Sequence, residues 1–375
     1  MNHFRPSIKH FTLLLTVLLY FHNISKAQHL LKRGFDAHEY RNSLLINAQN
    51  IGQKALIAAK VPTPNAKMEY RSKVSELNNR WDFWIDRRGV GIISIRGTLN
   101  QQNSWLENFY AAMVPATGTI CISNKINFKY KLAQDSNAYV HVGWLIGLAS
   151  LADDITAKIR AYHQKGLNDF IIIGHSQGGA IALLLRSYLH YLPQALAPNI
   201  RIKTYASAAP KVGNINYAYD FDYITRGGWA YRIINPLDWV PQIPFTIEKI
   251  SNISLANPFT NINSSTQKMP WIKRTYIRHI YHKMDRKTEK AQKYYTKILG
   301  TEAAGIVTNF IPKYHSPKYA SSFNYAPCGI SIILRPTANY YKNFIPQRQA
   351  TDGIFINHRV FAYLYLLKQN YPEKE

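Results

Sequence analysis

Phe170-Ile-Ile-Ile-Gly174-His175-Ser176-Gln177-Gly178-Gly179-Ala180 decides how this chain folds. An apolar run stops at a glycine, a serine stands between two glycines, and small and aliphatic residues follow. Phe170 to Ile173 reads as a strand of a parallel sheet, buried on both faces. Ala180 to Arg186 reads as a buried helix. Strand, sharp turn and helix, in that order, present a serine Oγ at the top of a sheet. The turn is too tight for a Cβ two residues before or two residues after the serine, and glycine fills both places. The pentapeptide G-x-S-x-G alone is a weak signal. The strand before it and the helix after it supply the weight.

Outward from this elbow, strands and helices alternate. Phe35 to about Ala59 has helical spacing of its apolar residues. Trp81–Ile85 and Val90–Ile95, joined by the turn Asp86–Gly89, predict a hairpin. Ser104–Met113 predicts a short helix, with Trp105, Leu106, Phe109 and Met113 apolar. A long helix is expected over about Leu145–Lys165, and strands over Ile200–Tyr205 and Ala230–Asn235. This alternation predicts an α/β chain with a mostly parallel sheet flanked by helices. The rhythm breaks over residues 246–349, where Asn- and Ser-rich loops and a basic helix, Lys273–Lys297, read as a cap-like insertion on the core.

The chain has 375 residues, 46% apolar and 18% charged, enough for one large domain. Its start reads as an export signal: basic Arg5 and Lys9, an apolar run Phe11–Phe21, then Ser25-Lys26-Ala27 with cleavage before Gln28. Residues 28–375 then form the mature domain, secreted or periplasmic. No later run is long and apolar enough to predict a membrane span. Cys121 and Cys328 fit no metal motif, and their spacing leaves a disulfide and two thiols equally open. The formal net charge is +25. No nucleic-acid motif accompanies it. Such a charge suits an anionic membrane or envelope polymer, or serves solubility alone.

A serine hydroxyl needs a base, a carboxylate to orient that base, and donors for the oxyanion. On this kind of sheet the order along the chain is serine, acid, histidine. Asp238 stands at the end of the strand Ala230–Asn235; Asp220 and Asp222 are the other candidates. Of the histidines that follow, His279 and His282 lie on the basic helix and His315 in a loop. His358 leads into the last helix, where a base can reach back over the sheet. His141 precedes the serine and reads as structural. No cofactor and no metal are needed.

Several ordered motifs resemble the class 3 lipases, the fungal triacylglycerol-lipase-like branch of the α/β hydrolases. They are Arg96-Gly97-Thr98, Asn103–Phe109, Val140-His-Val-Gly-Trp144, the elbow, Tyr205–Asn214, Tyr231–Pro244 and His358–Tyr363. The resemblance implies an α/β-hydrolase fold. It implies Ser176 as nucleophile, Asp238 as acid, His358 as base, and Thr98 and Gln177 as the oxyanion hole. It makes Asn103–Phe109 the lid helix, and Trp105, Leu106, Phe109 and Met113 on that short helix suggest a lid that meets substrate. The expected activity is hydrolysis of acylglycerol or phospholipid esters through an acyl-enzyme. A short-chain or carbohydrate esterase, and an idle envelope-binding protein, are the alternatives.

Overall fold

The computed structural model describes residues 29–123, 126–253 and 256–372; the expected signal peptide lies outside them. Seven strands form one sheet. They are β1 (Ala66–Arg71), β2 (Trp81–Asp86), β3 (Gly91–Ile95), β4 (Asp169–His175), β5 (Arg201–Ser207), β6 (Ala230–Ile234) and β7 (Ile330–Ile333), side by side in that order. β1, β2 and β3 pair antiparallel, and every pairing from β3 to β7 is parallel. The main helices are α1 (Ala37–Ala48), α2 (Gln53–Ala58), α3 (Gln102–Phe109), α4 (Val142–Gln164), α5 (Gln177–His190), α6 (Ile215–Ile224), α7 (Trp271–Thr296) and α8 (Val360–Asn370).

Helices cover both faces of the sheet. Phe170 and Ile172 of β4 pack in the cluster that holds α4 and α5. Ile171 and Ile173 point the other way, into the cluster that holds α1 and α8. A strand buried on both faces has no polar position, which is why the run from Phe170 is unbroken. A buried ion pair fastens α1 to β5: Lys203 Nζ lies 2.7 Å from Glu39 Oε1, and the Tyr205 hydroxyl donates to the same oxygen at 2.6 Å.

The structure differs from the sequence reading in three places. The helix expected over 35–59 is two helices, because the chain turns at Gly52 with φ 104°. Residues 246–349 are not wholly an insertion: Ile330–Ile333 pairs with β6 and completes the sheet, and Tyr340 and Phe344 join the core beside α8. The third is the end of α3, which comes at Phe109; Met113 opens a short strand of a second, antiparallel sheet. Cys121 and Cys328 are not joined by a disulfide. No described helix is long and apolar enough to cross a membrane.

Candidate active site

The elbow is built as its glycines require. Ser176 takes φ 60° and ψ −132°, a backbone conformation that costs roughly 1–3 kcal/mol and survives only where surroundings impose it. A Cβ on Gly174 would lie 2.0 Å from the Gly178 carbonyl oxygen. One on Gly178 would lie 2.4 Å from that of Ile95. Bonding of β4 to strands on both sides holds the turn from below.

Three residues far apart in sequence meet there. His358 Nε2 lies 2.8 Å from Ser176 Oγ, and His358 Nδ1 lies 2.8 Å from Asp238 Oδ2. A carboxylate only accepts, so Nδ1 carries the proton and Nε2 is left to accept from the serine. Asp238 is buried. It also accepts the Tyr363 hydroxyl at 2.8 Å and the Val240 N–H at 3.0 Å. Asn235 ties the two loops together: its side chain donates to the Asn357 carbonyl at 2.9 Å, and its N–H donates to the Tyr363 oxygen at 3.1 Å.

The other candidates are engaged elsewhere. Asp220 accepts from the Gln134 N–H and the Tyr191 hydroxyl, and Asp222 from the Gly329 N–H. His279, His282 and His315 are exposed. His141 caps α4, where its Nδ1 accepts the Trp144 N–H, and its ring stacks on Trp144. Burial pushes it down to about 3, so it stays neutral.

His175 was not singled out by the sequence, because the residue before the elbow serine follows no visible requirement. Its Nε2 lies 2.6 Å from the His358 carbonyl oxygen, and its Nδ1 lies 3.0 Å from Ser207 Oγ. Only an N–H can donate to a carbonyl, so Nε2 carries the proton and Nδ1 accepts from Ser207. Ser207 Oγ in turn stands 2.7 Å from the Tyr40 hydroxyl of α1. Burial, then the nearby His358, pushes His175 down to about 3.

Gln177 opens α5, and the first N–H groups of a helix have no partner within it. The Thr98 hydroxyl is already committed: it donates to Gln177 Oε1 at 2.7 Å and accepts from Asn108 Nδ2 at 3.0 Å. Its backbone N–H is therefore the donor that Thr98 can offer without rearrangement.

The four apolar residues expected on a lid are divided. Leu106 and Met113 are buried in core clusters, Met113 completely, and so do not face substrate. Phe109 is 59% exposed. Trp105 packs on Phe355 with ring centroids 5.9 Å apart, and Phe355 on Trp239 at 5.6 Å. Polar bonds bolt α3 down as well. Asn108 Oδ1 accepts from Trp144 Nε1 at 3.0 Å, and buried Glu107 accepts from Asn79 at 2.8 Å. Burial pushes the Glu107 carboxyl up to about 8. Ser176 and His358 open on a cavity of about 500 Å³, whose largely apolar wall includes Leu99, Trp105, Trp239 and Phe355.

Residues 92–248 match the family described as Lipase (class 3). The match covers less than half of the chain. The matched stretch holds Thr98, Ser176, Gln177 and Asp238, whereas His358 lies beyond it. A secreted mono- and diacylglycerol lipase of Fusarium solani is 26% identical over 209 residues, 54% of this chain and 48% of its own. One of Malassezia globosa is 31% identical over 125 residues, 32% of this chain and 38% of its own. The chain thus spans about half, or less, of the length of these curated relatives. Among solved structures, the Rhizomucor miehei triacylglyceride lipase superposes with a TM-score of 0.41 at 18% identity, covering 57% of this chain and 77% of that one.

Proposed function

We propose that this chain is a serine carboxylic-ester hydrolase that cleaves acylglycerol or phospholipid esters through an acyl-enzyme. The observation that carries the reading is the line Ser176–His358–Asp238, which opens on a largely apolar cavity. Ser176 Oγ attacks the ester carbonyl while His358 Nε2 takes its proton. Asp238 orients the imidazole and stabilises the imidazolium. The N–H groups of Thr98 and Gln177 receive the oxyanion. His358 then gives the proton to the departing alcohol, and a water activated by the same nitrogen releases the acid. Proton transfer of this kind contributes roughly 10²–10⁴-fold, and one oxyanion donor roughly 10²–10³-fold.

The names of the related proteins support a glyceride substrate and an exported enzyme. The basic surplus supports a working place at an anionic membrane or envelope surface. Residues 28–375 form the hydrolase domain in this reading, with 246–349 carrying a basic arm.

The test is hydrolysis of p-nitrophenyl esters from acetyl to palmitoyl, beside Ser176→Ala. Turnover that favours long acyl chains, and falls at least about a thousandfold in the variant, is the expected result. Turnover confined to acetyl would make it a short-chain or carbohydrate esterase. Activity that survives in Ser176→Ala would remove the serine mechanism altogether.

A further inference from the structure

Helix α7 stands out from the body of the protein. Its inner side rests on little. Arg278 donates to Thr266 Oγ1 at 2.8 Å, the Tyr281 hydroxyl donates to the Phe259 carbonyl, and Tyr295 packs on Phe323 near the far end. Gln292 is its one buried residue. Arg278, Tyr281, Asp285, Thr288 and Gln292 lie on that inner side, three or four residues apart.

The outer side is unlike an ordinary solvated face. Ile272, Tyr276, Ile280 and Met284 recur every fourth residue and form one ridge. They are between 37% and 66% exposed. Lys283, Lys287 and Lys290 continue the same face toward the C-terminal end and are exposed. Over its whole length α7 carries eight Lys and Arg against two acidic residues. An apolar ridge bordered by lysines is the composition of a helix that lies in the interface of an anionic bilayer. Its apolar side chains sink among the acyl chains, and its lysines reach the headgroups along their methylene stems. An acidic polymer would meet the charge but leaves four large apolar side chains in water without a purpose. The root of α7 is also tied to the site: the Leu299 carbonyl, just past its end, accepts the Ala112 N–H at 3.0 Å, three residues beyond α3.

We propose that the outer face of α7 docks this enzyme on an anionic phospholipid bilayer, with Ile272, Tyr276 and Met284 inserted and Lys283, Lys287 and Lys290 at the headgroups. The proposal rests on the hydrolase reading only for its purpose, since lipid esters lie in such a surface. The docking itself is measured without turnover.

The parent for the experiment is the full chain with Ser176→Ala, sedimented with vesicles of phosphatidylcholine, with or without phosphatidylglycerol. Binding is expected only with phosphatidylglycerol and is expected to weaken as salt rises. Each Lys near such a surface is worth about fivefold in affinity, so Lys283→Gln, Lys287→Gln and Lys290→Gln together should lower it by about a hundredfold. Ile272→Ser, Tyr276→Ser and Met284→Ser together should lower it at least about tenfold. With Ser176 restored, both triple variants should hydrolyse a soluble short-chain ester at the unaltered rate, which shows that they fold. Equal binding to both vesicle types overturns the proposal. So does full vesicle binding by the serine triple variant, which would make α7 a purely electrostatic face suited to an acidic polymer. If vesicle binding behaves as expected but no ester is turned over, the hydrolase reading fails and the docking surface stands.

Discussion

Tyr363 and His175 touch the Ser176–His358–Asp238 line from outside it. The Tyr363 hydroxyl gives Asp238 a second donor on the oxygen that also holds His358. A hydrogen bond to a charged group contributes about 1.5–3 kcal/mol. Tyr363→Phe should therefore lower kcat by about tenfold or more and leave KM for a soluble ester unchanged, as steady-state kinetics would report. His175→Ala removes the donor to the His358 carbonyl. As a positioning residue it should lower kcat by about tenfold with KM kept, in assays well below the lowered Tm that the loss of both hydrogen bonds brings; an unchanged kcat on the folded variant would make it merely structural. Glu107 yields a pH prediction. Its carboxyl titrates near 4.5 in the unfolded chain and near 8 in the fold. Between those values the folded protein holds a proton that the unfolded chain has lost, so stability falls as pH rises, by about 1.4 kcal/mol per unit. Glu107→Gln should flatten that slope and be more stable than the parent at pH 8, read from urea midpoints at pH 4.5 and 8.

At the scale of elements, α3 is fixed by Leu106, Glu107 and Asn108, whereas Phe109 is exposed and Trp105 lies against Phe355 at the cavity wall. A hinged lid over this helix is not what these contacts favour. Trp105→Ala should open the space against Phe355 and raise kcat/KM for long-chain esters relative to short ones, whereas Leu106→Ala should cost about 2–5 kcal/mol of stability. The elbow and the strands beside it were legible because their constraints are local: glycine at two crowded positions, an apolar run, a helix start. Met113 was not. Its spacing from Phe109 fits a helix, but the Tyr110 backbone has left the helical region at ψ 66° and the chain turns into a strand. β7 was not either, because four residues are too few to show a period, and its pairing with β6 is a matter of topology. The break in α1–α2 was marked by Gly52, which helical spacing on both sides concealed.

Over the whole molecule, the meeting of Ser176, His358 and Asp238 was legible from chain order and strand ends. The Tyr40–Ser207–His175 relay behind the base was not, since its members come from three elements that only the packed core brings together. The absence of a disulfide gives a further test. Reductant should leave the melting temperature of the purified protein unchanged, and a fall of several degrees would mean that Cys121 and Cys328 are linked in solution. The serine and its base are 182 residues apart. Ser176, Asp238, Thr98 and Gln177 all leave the ribosome well before His358 does. His358 is then braced through His175 and Ser207 by Tyr40 of α1, near the beginning of the described chain. A chain made only as far as Asp238 therefore holds Ser176 without the imidazole that the full fold places 2.8 Å from it. Under the proposed mechanism the hydrolase is idle until α8 has packed.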